Sequence, residues 1–264
     1  MTVQSDKVLV YLEKGGACFD IASCKRRCAP GSAKAQLCTM AQDEGKNLEG
    51  NIWSGDKEEN PGLHDSYKVF VPYCTSDVYI GRRDPDNSTA GYAFRGRNVV
   101  EAVITDLLSD FSPISITQFV FMGASAGKLF CLLSPNKPPP GAFGVAATCD
   151  WVRSQVERHS PGADVRCVMD SLDFYPITLP EPPTHCRALH CVVRCSIPLI
   201  RSMATKFWNG ESDESCAKEN VLKENICSVF TTAHQYIETP FMVVGPYQDT
   251  NDQANISHQV ITVT

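Results

Sequence analysis

In residues 118–122 (QFVFM) the four apolar residues after Gln118 lead without a break into Gly123-Ala124-Ser125-Ala126-Gly127. An uninterrupted apolar run of this length is the mark of a strand buried on both faces. A strand emptying into G-x-S-x-G, with an apolar stretch (KLFCLL) behind it, predicts a serine on a sharp strand-to-helix turn. Small residues on either side of Ser125 let that turn close. The helix behind it directs its N-terminus at a reacting carbonyl, and the Ala126 N–H is placed for a developing oxyanion. The same five residues also occur as an ordinary small-residue turn, so the weight of the reading comes from the flanks.

Residues 8–12 (VLVYL) are a continuous apolar run, 68–73 (KVFVPY) read the same way, and 164–169 (DVRCVM) and 240–244 (PFMVV) complete a plausible set of strands. Between them, 98–108 (NVVEAVITDLL) has apolar residues at helical spacing, and 196–208 carries Ile200, Met203 and Phe207 on one face. Strands alternating with helices imply an α/β fold, a mostly parallel sheet with helices on both faces. The Gly/Pro-rich stretches 134–142 and 176–183 read as surface excursions rather than domain boundaries, and no internal repeat is present. The 264 residues suit a single α/β domain spanning 1–264.

A net charge of −6 and a pI near 5.5 argue against nucleic acid or an anionic membrane surface as partner. No apolar run reaches the length of a membrane span. Lys25-Arg26-Arg27 is short and reads as a solvated loop. Thirteen cysteines point to disulfides and an oxidising compartment. They show no C-x2-C pair and no metal-spaced histidines, so neither a metal nor an organic cofactor is expected. Two sequons, at Asn87 and Asn255, are glycosylation candidates that agree with a secretory route. The start MTVQSDKVLVYLEK is not a signal peptide, so the native N-terminus is expected to lie upstream, and the odd cysteine count fits a partner lost with it.

A nucleophilic serine needs a second oxyanion donor, a base and an orienting acid. Gly15-Gly16, after the first strand, is a turn whose backbone can approach a substrate closely, although such pairs are more often plain turns. In this fold the triad runs Ser, acid, His along the chain. Asp249 follows PFMVV within GPYQD, and His258 is the only histidine after it. His64, His159, His185, His190 and His234 all precede the acid. The bland alternative makes Asp249 a turn residue and His258 a surface residue near a frayed end.

The segments LEKGGACFDIASC, KEENPGLHDSYKVFVPYCTSDVYIG, GYAFRGRNVVEAVITDLL, GASAG, VRCVMDS, FWNG and PFMVVGPYQD occur in the order of one known family. The chain resembles the pectin acetylesterases, and within them the animal Notum branch. That resemblance implies a secreted, disulfide-rich serine esterase of the α/β-hydrolase fold, acting on acylated polysaccharide or acylated protein. It implies Ser125 as nucleophile, Gly15, Gly16 and Ala126 as oxyanion donors, Asp249 as acid and His258 as base. The local string Ser257-His258-Gln259-Val260-Ile261 resembles the family's own histidine segment.

Departures accompany the likeness. Lys14 stands where the family has Gly, aromatic residues are missing around Gly16 and Ala17, and Lys128 replaces a second glycine after the nucleophile. Only eight residues separate Asp249 from His258, where the family has a longer helical segment. Cys18 with Cys24, and then Cys216 with Cys227, are the expected bridges, whereas the family partner of Cys74 would lie upstream of Met1. Two functions follow: an ester hydrolase working through an acyl-enzyme, or a catalytically silent relative kept as a binding or structural domain. With the aromatic lining missing, acetyl is as good a candidate for the acyl group as a longer chain.

Overall fold

A computed structural model describes residues 5–32, 35–38, 48–112, 114–124, 141–170, 205–221, 227, 230–246 and 258–263. Among the described residues six strands form one sheet: β1 (Lys7–Leu12), β2 (Tyr67–Val71), β3 (Gln118–Ala124), β4 (Asp164–Asp170), β5 (Phe241–Pro246) and β6 (His258–Val263). Their order is β2-β1-β3-β4-β5-β6; β1 to β5 run parallel, and β6 is antiparallel to β5. Each of the five expected apolar runs is a strand. β2 stops at Val71 rather than Tyr73, since Pro72 has no N–H to offer the ladder.

The continuous apolar sequences mark the central strands. Val8, Leu9, Val10 and Leu12 of β1 are at most 1% exposed, so both faces of that strand are covered. β4 is different. Val165, Cys167 and Met169 point into the core while Asp164 and Arg166 stay exposed, a period of two across the sheet.

Two long helices lie on the face that carries Val10, Phe121 and Met169: α2 (Gly96–Asp110) and α3 (Gly141–His159). They contribute Val100 and Ile104, and Val145 and Val152, to one core. Phe121 is fully buried there, and truncating such a ring costs about 3–5 kcal/mol. On the opposite face Trp53, from a short 3-10 turn, meets Tyr11 edge-on at 5.5 Å and Phe70 at 5.9 Å. Among the described residues no helix is long and apolar enough to cross a membrane.

α1 (Ile21–Arg27) begins with a capping box, in which Asp20 accepts from the Ser23 N–H and the Ser23 hydroxyl oxygen accepts from the Asp20 N–H. Lys25-Arg26-Arg27 is its last turn, not a solvated loop, and there the positive charge meets the negative end of the helix. Arg27 is buried with its Nε donating to the Ser76 hydroxyl at 2.8 Å, and burial lowers its pKa. Of the expected excursion at 134–142, residues 134–140 lie outside the described residues, and Gly141 and Ala142 belong to α3.

Candidate active site

The parallel strands end on one edge of the sheet. Leu12 of β1 lies beside Gly123 of β3, and Ala124 lies beside Asp170 of β4, which lies beside Val244 of β5. From β1 the chain leaves toward β2 on one side; from β3 it leaves toward β4 on the other. Neighbouring strands whose connections depart in opposite directions open a crevice outside their carboxyl ends, where ligands bind in open α/β sheets. Gly15-Gly16 leaves the first of these two strands and Ser125 the second.

The Gly15-Gly16 loop is held at both ends by the segment after β2. The Glu13 N–H donates to the Val71 carbonyl at 3.0 Å, and the Cys18 N–H donates to the Ser76 carbonyl at 3.0 Å. Glu13 also accepts from the Tyr73 N–H at 2.8 Å, and the Tyr79 hydroxyl is within 3.2 Å of the Glu13 carbonyl. At the far end the Trp208 indole N–H donates to the Cys18 carbonyl at 2.6 Å, and Cys18 is bonded to Cys24 of α1. Gly15 and Gly16 are buried; Lys14 is exposed. A loop fixed in this way keeps its N–H directions without reorganising, as oxyanion donors must.

Beneath the loop lies a buried aromatic pair, Tyr73 and Tyr79, with ring centroids 4.8 Å apart. The Tyr73 hydroxyl oxygen accepts from the Val78 N–H at 2.8 Å, and burial raises both phenols well above their ordinary pKa. Asp77, wholly buried, accepts from the Gly96 N–H at 2.7 Å and from the Tyr79 N–H at 3.1 Å, so it caps α2 and shapes the same segment. Cys74 is half-buried between these residues, and burial, with Asp77 and Glu13 nearby, raises its thiol pKa.

Ser125, Ala126, Asp249 and Asn255 lie outside the described residues, as does the apolar stretch at 128–133. Their flanks are described. Ala124 ends β3, Pro246 ends β5 three residues before Asp249, and His258 opens β6 opposite Pro246. The connection from Pro246 to His258 thus begins and ends on the carboxyl edge. Among the described residues the other histidines sit on the opposite edge. His64 precedes β2, beside the Asp65 that binds Lys7 at the start of β1. His159 contacts Ser160, whose oxygen accepts from the Ile116 N–H ahead of β3, and His234 lies in the turn leading to β5. His185 and His190 are outside the described residues.

Three strand spacings separate β3 from β6, about 14 Å across the sheet. Sequence reading did not single out Asp170, which the register sets between Ala124 and Val244 at this edge. It raises the pKa of the Tyr11 phenol, after burial and ahead of Glu13. Its signal was the VRCVMDS segment, whose last residues carry the strand out to the edge. Asn87, the described sequon asparagine, is exposed on a 3-10 turn capped by Asp86. Among the described residues four disulfides are formed: Cys18–Cys24, Cys28–Cys38, Cys149–Cys167 and Cys216–Cys227.

Comparison with known proteins adds to this geometry. The pectinacetylesterase family matches residues 2–263. The palmitoleoyl-protein carboxylesterase NOTUM of Schmidtea mediterranea is 30% identical over 244 residues, which is 91% of this chain and 42% of that protein. The Drosophila melanogaster protein of the same name is 33% identical over 247 residues, 90% of this chain and 32% of its own. A solved structure of the Wnt deacylase Notum from Drosophila superposes with a TM-score of 0.71 at 26% identity, covering 92% of this chain and 64% of that one. The chain spans less than half the length of the curated relatives it matches, between 32% and 44%.

Proposed function

We propose that this chain, which belongs to the pectinacetylesterase family, hydrolyses carboxylic esters through an acyl-enzyme on Ser125. The observation that supports the reading is the switch point between β1 and β3, where the Gly15-Gly16 loop follows one strand end and Ala124, the residue before Ser125 in sequence, closes the other. Ser125 attacks the ester carbonyl, and the oxyanion is held by N–H groups of Gly15, Gly16 and Ala126. His258 takes the serine proton and returns it to the leaving alcohol, with Asp249 holding the imidazole in the required tautomer. Water then releases the acid by the same path. The substrate is an acylated protein or polysaccharide, acetyl or longer, and the disulfide framework supports a secretory route.

The spacing across the sheet favours a second reading. Fourteen ångströms or so is further than a serine and a histidine side chain reach together, so the triad closes only if the segments beyond β3 and β5 lean over β4. A chain that does not close it is a binding domain on an esterase fold. Fluorophosphonate labelling decides between the two, because only an activated serine reacts quickly. Rapid, Ser125-specific labelling with turnover of p-nitrophenyl acetate supports the hydrolase. A folded protein that neither labels nor turns over leaves the binding domain.

A further inference from the structure

Among the described residues the chain resumes after β3 as a helix at Gly141, whose backbone sits against the end of β3. A Cβ placed on Gly141 would lie 2.4 Å from the Leu12 carbonyl oxygen and within 3.0 Å of the backbone oxygen and nitrogen of Ala124. The contact is reciprocal, since a Cβ on Gly123 would lie 2.4 Å from the Gly141 carbonyl oxygen. Both collisions are with backbone, which has no rotamer by which to move aside. One turn along α3 the packing stays close, for a Cβ on Gly144 would lie 2.7 Å from the Tyr79 Cβ. The chain therefore leaves β3 at Ala124 and re-enters as a helix in contact with the place it left.

That is the arrangement a strand-turn-helix serine requires, and there the turn itself needs only a few residues. In sequence, Ser125-Ala126-Gly127 follow Ala124 and are enough in number for such a turn. Joining Gly127 directly to Gly141 would read Gly-Ala-Ser-Ala-Gly-Gly-Ala-Phe-Gly, with a second glycine where Lys128 now follows the motif. We infer that α3 is the helix that backs Ser125, that Gly141 is the second glycine of its turn, and that residues 128–140 are an insertion the turn does not need. Gly141 is a positioning residue: it touches no substrate and acts by letting α3 reach the strand ends on either side of the crevice. The helix of 19 residues has its positive end at Gly141, against the ends of β1 and β3. Long insertions between two fixed ends are tolerated thermodynamically, which is why the fold survives this one.

The inference rests on the hydrolase reading for its effect on reactivity but not for its effect on folding, and the test separates the two. The full chain is compared with a variant lacking 128–140, by thermal unfolding and by the rate at which fluorophosphonate labels Ser125. The shortened chain is expected to unfold at the same temperature or higher and to label about tenfold faster or more, since ångström-scale placement of a nucleophile is worth factors of that size. Gly141→Ala and Gly144→Ala in the full chain serve as controls. Both lower stability, but only Gly141→Ala is expected to slow labelling per folded molecule. A shortened chain that fails to fold, or a Gly141→Ala protein as stable as the parent, overturns the inference. Equal stability of parent and shortened chain with no labelling of either upholds the insertion and counts against the hydrolase.

Discussion

The Tyr73 ring occupies the space where a side chain on Gly15 would begin: a Cβ there would lie 2.0 Å from the ring Cδ1. Tyr73 is fully buried and anchored by its hydroxyl to the Val78 N–H, so it has nowhere to retreat. The glycine is thus required by packing as well as by the substrate's need for bare backbone. Gly15→Ala is expected to destabilise the protein by about 1–3 kcal/mol, the usual range for overpacking. Ester hydrolysis should fall further than the loss of folded protein accounts for, because the displaced loop carries the proposed oxyanion donors. Urea unfolding alongside rates per folded molecule checks both parts, and an unchanged midpoint contradicts the first.

Ser125→Ala should abolish turnover of a p-nitrophenyl ester and leave the unfolding midpoint unchanged, since alanine suits a small-residue turn. His258→Ala should lower turnover by about 10³-fold or more if the imidazole is the base. His159→Ala, on the far edge of the sheet, should leave turnover intact. A His258→Ala protein that labels as fast as the parent would instead show that the 14 Å or so between β3 and β6 is not bridged.

Asp77 offers a pH test of the framework under the site. Burial raises its carboxyl pKa above the ordinary 3.8, against the lowering effect of the Thr75 hydroxyl and the Gly96 and Tyr79 N–H groups that donate to it. A carboxyl with a raised folded pKa holds its proton more tightly when folded, so it stabilises most below 3.8 and loses that contribution as pH rises through the folded value. Asp77→Asn does not titrate. The stability advantage of the parent over Asp77→Asn should therefore shrink as pH rises from below 3.8, then level off. Urea midpoints at a series of pH values give that difference directly, and an advantage that grows with pH refutes the assignment.

What the sequence disclosed follows from how local each feature is. The strands were legible because burial on both faces writes an unbroken apolar run, as in Val8 to Leu12. α2 was legible because Val100, Ile104 and Leu107 recur at helical spacing. α3 was not, for it opens with Gly-Ala-Phe-Gly, which reads as a turn, and those small residues are there to fit Leu12 and Ala124, far away in the chain. The antiparallel β6 escaped too. Its six residues have no pattern distinguishing their direction, which comes only from the short connection after Pro246. Ser125, Asp249 and His258 were legible as an order along the chain, whereas the common edge of Ala124, Pro246 and His258 emerged only once the strand order was known.

Disulfides divide in the same manner. Cys18–Cys24 and Cys216–Cys227 close short loops and were suggested by spacing, but Cys149–Cys167 joins α3 to β4 and depends on their packing. Both of its cysteines are fully buried, while Cys28 and Cys38 are only half-buried. Under mild reduction without denaturant, Cys28 and Cys38 should be alkylated first and Cys149 and Cys167 last, because thiol exchange needs access to the sulfur. Replacing Cys149 and Cys167 together by alanine should cost about 3 kcal/mol, the loop-closure value for a bridge spanning this length of chain. The loss should also reach the site, since this bond ties the helix whose first residue meets the end of β3 to the strand carrying Asp170. Slower ester turnover per folded molecule in the double variant, with Ser125 still labelled, is the expected pattern. Alkylation of Cys167 ahead of Cys28, or a double variant as stable as the parent, would show that α3 is held to the sheet by its apolar face alone.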